Sequence, residues 1–245
     1  MARYQITLTY DGTDFVGSQR QLKSRTVQSE LEKALVKLNW EGNTVLIAGR
    51  TDTGVHASGQ VVAFDLDWKH SLDDLGTALN AALPKDMAVS VVQSVTERFH
   101  PRFDATSRRY RYRLFCQPGR DPLRERFAWR VWPVASGLQD LAEVWLGEHD
   151  FAIFGSAPKP GNSTVRTVLD AKWQWVNEEW QFEIQANAFL YHMVRKIVHA
   201  QVAVGQGRIT KNDLTRALEN NNVLPSGLAP AHGLTLLEVS YDVLE

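Results

Sequence analysis

Cysteine is almost absent from this chain. Cys116 is the only one in 245 residues, which leaves no partner for an internal disulfide, argues against a cysteine-based metal site and fits a reducing, cytoplasmic setting. None of the seven histidines pairs at the four-residue helical spacing of a zinc site, and His192 and His199 stand too far apart to chelate one ion from a single helix turn. No P-loop and no dinucleotide fingerprint occurs, so neither a metal nor a nucleotide cofactor is expected. No apolar run approaches the ~20 residues of a membrane span, and Met1-Ala2-Arg3-Tyr4 leads straight into strand-like alternation with no signal-peptide core. No membrane association is expected. Low-complexity tracts are missing too, and 44% hydrophobic with 22% charged residues argues for a globular chain over a disordered one.

Net charge is also lacking: the balance is −1, which by itself favours no polyanionic partner. Its distribution differs. Between Arg98 and Arg130 lie ten arginines against three carboxylates, Asp104, Asp121 and Glu125, a local net of +7. Such a field can attract a polyanion, or it can be a solvated arginine-rich surface.

What is present centres on Ala48-Gly49-Arg50-Thr51-Asp52-Thr53-Gly54-Val55-His56-Ala57, between the apolar runs Val45-Leu46-Ile47 and Val61-Val62-Ala63-Phe64. Two glycines permit a tight turn, and a loop held by strands at both ends can present a reactive carboxylate. The same residues also suit a plain connector whose Asp bonds its own backbone.

Around this loop the chain reads as β-α-β-β-α-β. Residues 3–10 alternate as a half-buried strand, with Tyr4, Ile6, Leu8 and Tyr10 on one face. Thr26 caps a helix carrying Val27, Leu31, Ala34, Leu35 and Leu38 at helical spacing. Strands follow at 44–48 and about 60–66, then a helix opened by Ser71 and stopped by Pro84, and a strand from Ala88 to Val95. That is the ferredoxin-like order. The second half predicts strands over 110–115 and 128–134, a helix over 136–146, a hairpin with arms 168–176 and 180–184, helices over 188–204 and 210–220, and a last strand over 234–241. Residues 156–164 form a loop. Stripped of insertions, this half repeats the first pattern. The expectation is an α+β protein of two intimately packed ferredoxin-like lobes, 1–104 and 105–245, whose antiparallel sheets meet at a central active-site cleft.

Asp52-Thr53-Gly54 matches the aspartic-protease triplet, but that chemistry needs two carboxylates sharing a proton, and the triplet occurs once. A larger constellation fits better. Tyr10-Asp11-Gly12-Thr13 with Gly17-Ser18-Gln19, Thr26-Val27-Gln28, residues 49–57, Phe99-His100-Pro101-Arg102-Phe103-Asp104-Ala105, Arg108-Arg109-Tyr110-Arg111-Tyr112, His149-Asp150-Phe151, Thr164-Val165-Arg166-Thr167, residues 189–195 and Ala229-Pro230-Ala231-His232-Gly233-Leu234 run in this order over nearly the whole chain. Together they closely resemble the TruA family of tRNA pseudouridine synthases.

The resemblance implies isomerisation of uridine to pseudouridine in the anticodon stem-loop of tRNA, at about positions 38–40. It also implies a homodimer and no cofactor. Asp52 would be the nucleophile, adding to the base or to the ribose. Arg195 resembles its basic partner, an opposite charge that favours the ionised carboxylate; helical spacing alone would make it a solvated arginine. Tyr110 resembles the aromatic residue that stacks on the target base; alternation alone would make it core beside Tyr112 and Leu114. Were Tyr110 to face a cleft, Arg109, Arg111 and Arg113 would point to the opposite sheet face, so either the strand begins after Tyr110 or those arginines reach the sheet's rim. Arg50 could enter the space that an extruded uridine vacates. His56 reads as ordering the loop, and Arg20, Lys23 and Arg25 as RNA-backbone contacts. Two positions depart from the family pattern. Ser18 stands where a bulky aromatic is common, and His199 where glycine is usual. The rival class is an RNA-binding module without turnover.

Overall fold

Strict alternation makes the first strand, β1 (Ala2–Tyr10), bury Tyr4, Ile6, Leu8 and Tyr10 while Arg3, Gln5, Thr7 and Thr9 stay half-exposed. It opens a computed structural model that describes residues 1–157, 159, 161–220 and 222–242; of the 156–164 loop, Pro158 and Pro160 lie outside the described residues. The chain forms two compact units, Met1–Thr106 joined by the chain from Thr235 onward, and Ser107–Leu234.

In the first unit Thr26 and Ser29 close a reciprocal capping box at the start of α1 (Val27–Val36), and Ser71 with Asp74 does the same for α2 (Leu72–Ala82). Between them lie β2 (Leu46–Ile47) and β3 (His56–Leu66), and β4 (Met87–Val95) follows. The strand order is β4-β1-β3, with β2 on the outer edge of β3, all antiparallel. Ile6, Leu8, Leu31, Leu35, Val62, Leu75 and Leu79 are wholly buried and form the core. Hydrophobic burial of this kind contributes roughly 1.5–3 kcal/mol per large side chain.

One assignment from sequence changes here. The last strand, residues 234–241, falls within the 105–245 lobe by sequence order, yet from Thr235 onward it belongs to the first unit, where it pairs parallel with β3 (Thr235 with His56, Leu236 with Ala57). β3 begins at His56, four residues before the alternation suggests: Ala57 is paired with Tyr10 of β1 and with Leu236, and His56 with Thr235 from the far end of the chain. Gly59 permits the approach, since a Cβ there would lie 2.1 Å from the Leu237 carbonyl oxygen. Tyr241 then donates its hydroxyl to the Pro101 carbonyl at 2.7 Å and packs on Phe99, tying down the Phe99-His100-Pro101 segment.

The second unit holds β5 (Ala105–Cys116, entered from the first unit), β6 (Trp129–Val131), β7 (Gly147–Asp150), β8 (Val165–Val176) and β9 (Glu179–Ala186) in the antiparallel order β5-β9-β8-β7, with β6 parallel to the end of β5. Asn177 and Glu178 both take positive φ, the two-residue turn whose twist matches a hairpin. The segment predicted as a helix over 136–146 is a 3-10 helix, Leu138–Trp145. The helix expected from residue 188 begins later, as α3 (Met193–Gly205), because Tyr191 exchanges backbone hydrogen bonds with Ser156 and His192 lies at φ +66°. A last helix, α4, spans Lys211–Asn220.

β5 is one continuous strand, so Tyr110, Tyr112 and Leu114 share its buried face and Arg109, Arg111 and Arg113 the other. The arginines are met there by carboxylates of the β8–β9 hairpin: Arg109 with Asp170 at 2.8 Å, Arg111 with Glu183 at 2.6 Å, Arg113 with Glu179 at 2.7 Å. Arg124 also reaches Glu179, and Arg120 and Arg130 both bond Glu125. The +7 counted along 98–130 is therefore not a free field. Asp170, Glu179 and Glu183 are distant in sequence and enter no local count.

His199 also finds its explanation. Its ring lies on the backbone of Gly227, where a Cβ would meet His199 Cε1 at 2.0 Å. Gly227→Ala is expected to destabilise the chain by about 1–3 kcal/mol through overpacking, and His199→Ala in the same chain should recover most of the loss. Thermal unfolding of the three variants checks this; a Gly227→Ala chain as stable as the parent would show that the His199 ring turns aside at no cost.

Candidate active site

Residues 48–55 link β2 to β3, and the Asp52 carbonyl accepts the Val55 N–H at 3.1 Å, a turn completed by Gly54 at φ +78°. Asp52 is half-buried and Arg50 is exposed. The loop does not stand alone, because the segment after β1 is folded against it. Gly12 lies so close that a Cβ would sit 2.0 Å from the Val55 carbonyl oxygen, and Gly17, at φ +75°, would bring one to 3.0 Å from the Thr51 oxygen. Gly49 is held at both its N–H and its carbonyl by the side-chain amide of Gln60 on β3.

His56 is buried, and its Nδ1 accepts the Gly12 N–H at 2.9 Å. The same nitrogen lies 3.2 Å from Asp11 Oδ1. Asp11 Oδ1 also receives the N–H and the hydroxyl of Thr13. This ties His56 to the architecture of the loop.

The three cations of the preceding loop have different neighbours. Arg25 forms a two-pronged pair with Asp86 at 2.7 and 2.8 Å, and its guanidinium lies 4.2 Å from the centroid of the buried Phe15 ring. Arg20 donates to Glu32 at 2.9 Å and to the Asn43 carbonyl, with the side chain still half-exposed. Lys23 is exposed. Arg25 is thus committed to the fold, whereas Lys23 is available to a polyanion.

Tyr110 and Arg195 belong to the second unit. Tyr110 is 8% exposed and meets Phe189 edge-on, with ring centroids 5.0 Å apart. Arg195, in the first turn of α3, donates its Nε to the Ala229 carbonyl at 2.8 Å, and the Tyr112 hydroxyl donates to the next carbonyl, Pro230, at 2.8 Å. Burial pushes the Tyr112 phenol well above its ordinary value of 10.0, with Arg195 opposing the rise. The Ala229-Pro230 motif, the Val194-Arg195 motif and the Tyr110-Arg111-Tyr112 motif are therefore one packed cluster. Among the described residues no group of three or more His, Cys, Asp or Glu is placed to hold a metal ion, and no helix is long and apolar enough to cross a membrane.

Sequence reasoning passed over Ser18, Thr51, Tyr10 and Gln60 as site residues. Nothing in their types is reactive, and only the burial of a serine hydroxyl beside the Asp52 loop singles them out. The family model for tRNA pseudouridine synthase matches residues 6–104 and 141–242. The tRNA pseudouridine synthase A of Roseiflexus castenholzii is 40% identical over 250 residues, covering 98% of this chain and 91% of that one. The protein of the same name from Limosilactobacillus fermentum is 39% identical, covering 99% and 97%. A solved structure, the crystal structure of a Cbf5-Nop10-Gar1 complex, aligns at TM-score 0.36 and 10% identity over 95% of this chain and 48% of that one. The chain belongs to the tRNA pseudouridine synthase family.

Two outcomes follow for the cations. Lys23→Ala should lower the slope of log affinity for tRNA against log salt by about one. Arg25→Ala should leave that slope unchanged and cost about 1 kcal/mol of stability; equal slopes for the two variants would refute the distinction. The Arg25 pair also holds the Asp86 carboxyl below its ordinary 3.8. A depressed carboxyl contributes stability above its unfolded pKa and loses it as pH falls through the folded value. Asp86→Asn should therefore cost more near pH 7 than near pH ~2. A difference in denaturation midpoint that does not shrink on acidification would show that the pair contributes nothing.

Proposed function

We propose that this member of the family converts uridine to pseudouridine in the anticodon stem-loop of tRNA, at about positions 38–40, with Asp52 as the nucleophile. The observation that carries the assignment to Asp52 is its place in a loop whose backbone is bonded on both sides to neighbouring elements. The reaction breaks the bond from N1 of uracil to the ribose, turns the base, and joins C5 to the same carbon. C5 loses a proton and N1 gains one. Nothing is oxidised or reduced, so the chemistry needs no redox cofactor. It needs an ionised carboxylate, a base held while it rotates, and exclusion of water.

In this reading Arg195 favours the ionised Asp52 and Tyr110 stacks on the extruded uracil. Their support is the packed cluster at the start of α3, which fixes Arg195 Nε on the Ala229 carbonyl and Tyr110 on Phe189. Arg50, exposed two residues before Asp52, enters the space the uridine leaves. Arg20 and Lys23 contact the RNA backbone, and His56 orders the loop. Both lobes are ferredoxin-like in this reading, for which the β4-β1-β3 order with β2 on the β3 edge offers support in the first. The working form is a cytoplasmic homodimer.

Tritium release from tRNA carrying 5-tritiated uridine tests the assignment. The parent chain should release tritium, and Asp52→Asn should fall by about 1,000-fold or more while tRNA binding survives. Release that persists in Asp52→Asn would move the nucleophile elsewhere. Tight binding with no release from the parent would make the chain an RNA-binding module.

A further inference from the structure

Ser18 is 1% exposed, and a hydroxyl so deeply buried must be bonded. Its Oγ accepts the backbone N–H of Thr51 at 2.8 Å. Its own N–H donates to the Thr51 carbonyl at 3.0 Å, so one residue holds Thr51 at both ends of its backbone. Thr51 Oγ1 shares a third hydrogen bond, 2.8 Å long, with the buried hydroxyl of Tyr10 on β1. Gln60 donates into that same Tyr10 oxygen at 3.4 Å. Behind Ser18 the chain is fixed as well. Its carbonyl accepts the Gln28 N–H at 3.0 Å, and the Gly17 carbonyl accepts that of Val27, both in the first turn of α1.

We propose that Ser18, with Tyr10, is a positioning residue for Asp52, acting through Thr51. The peptide bond between Thr51 and Asp52 is planar, so a clamp on the Thr51 carbonyl sets where the Asp52 nitrogen and Cα lie. With the N–H, the carbonyl and the side chain of Thr51 bonded to two separate elements, the residue before the carboxylate has no freedom left to transmit to it. Neither Ser18 nor Tyr10 offers surface to RNA, since Tyr10 is 2% exposed. Losing either should therefore act on turnover and not on binding. Removing the Ser18 hydroxyl also strands a buried Thr51 N–H, which the loop can satisfy only by moving. A displacement of ~1 Å at a reacting group can cost about 100-fold in rate.

The proposal rests on Asp52 being the nucleophile, so Asp52→Asn is measured in the same series as Ser18→Ala, Tyr10→Phe and Ile6→Val. The last trims a wholly buried β1 side chain outside the clamp and serves as a destabilised control. Single-turnover rates, KM, tRNA affinity and amide exchange are recorded for each. The expected result is a kcat about 10–100-fold lower for Ser18→Ala and Tyr10→Phe, with KM and tRNA affinity within about twofold. Thr51 amide exchange should be faster in Ser18→Ala, and Ile6→Val should turn over like the parent. Rates for both clamp variants matching Ile6→Val, with Asp52→Asn inactive, would overturn the positioning role and leave the nucleophile standing. Turnover surviving in Asp52→Asn would remove the reading beneath it, and the proposal with it. Should Ser18→Ala fail to fold, Tyr10→Phe decides alone by the same criteria.

Discussion

Two backbone segments from different parts of the chain, residues 11–18 and 49–56, lie so close that the first tolerates no side chain at its nearest points, Gly12 and Gly17. A Cβ on Gly12 would penetrate the Val55 carbonyl, and one on Gly17 would press on Thr51. That contact is the constraint on which the site depends. Loops ordinarily satisfy their backbone groups with water and remain mobile. Here Thr51 and Gly49 are bonded to protein groups at both N–H and carbonyl, and Gly12 gives its N–H to His56. Each segment supplies the other's missing partners. Neither conformation stands without the other.

Charge is handled in the same manner, by partners brought from a distance. Asp86 takes Arg25, Asp65 takes Arg3 at 2.7 Å, and the β8–β9 hairpin supplies the acids for the arginine row of β5. Half-buried arginines of this kind stabilise a sheet surface only because their carboxylates are adjacent, since an unpaired one there would bear its desolvation alone. The consequence for a polyanionic ligand is specific. The number of arginines in a segment is no measure of attraction, because the fold pairs many of them; Lys23 and Arg50 are cations left exposed.

Local signals carried much of the fold. The capping residues Thr26 and Ser71, the alternation of β1 and the 168–184 hairpin all act within a few residues, and each is present where the pattern put it, the hairpin with its second arm one residue earlier, at Glu179. The failures share one physical cause. The start of β3, the partner of the last strand (residues 234–241) and the neutralisation of the β5 arginines are set by residues dozens of positions or more away. The late start of α3 has the same origin, because Tyr191 gives its backbone to Ser156 before the helix can claim it. Of the site, Asp52 was legible as a reactive type on a turn. Ser18 was legible only as a residue out of pattern, since burial and its bond to Thr51 are properties of the folded chain.

With Asp52 as the proposed nucleophile, stiffness in its loop has a clear value. An isomerisation with no net transfer of electrons, and with one proton lost as another is gained, asks little of unusual reactivity and much of placement. A carboxylate carried on a mobile loop would have to be ordered in each turnover, at roughly 1–2 kcal/mol per residue fixed. That cost would be drawn from the same RNA-binding energy that must extrude a uridine from its stack. A loop already held through Thr51 meets the ordering cost once, at folding, with hydrogen bonds that no substrate has to make. The binding energy of the RNA then remains for distorting the RNA.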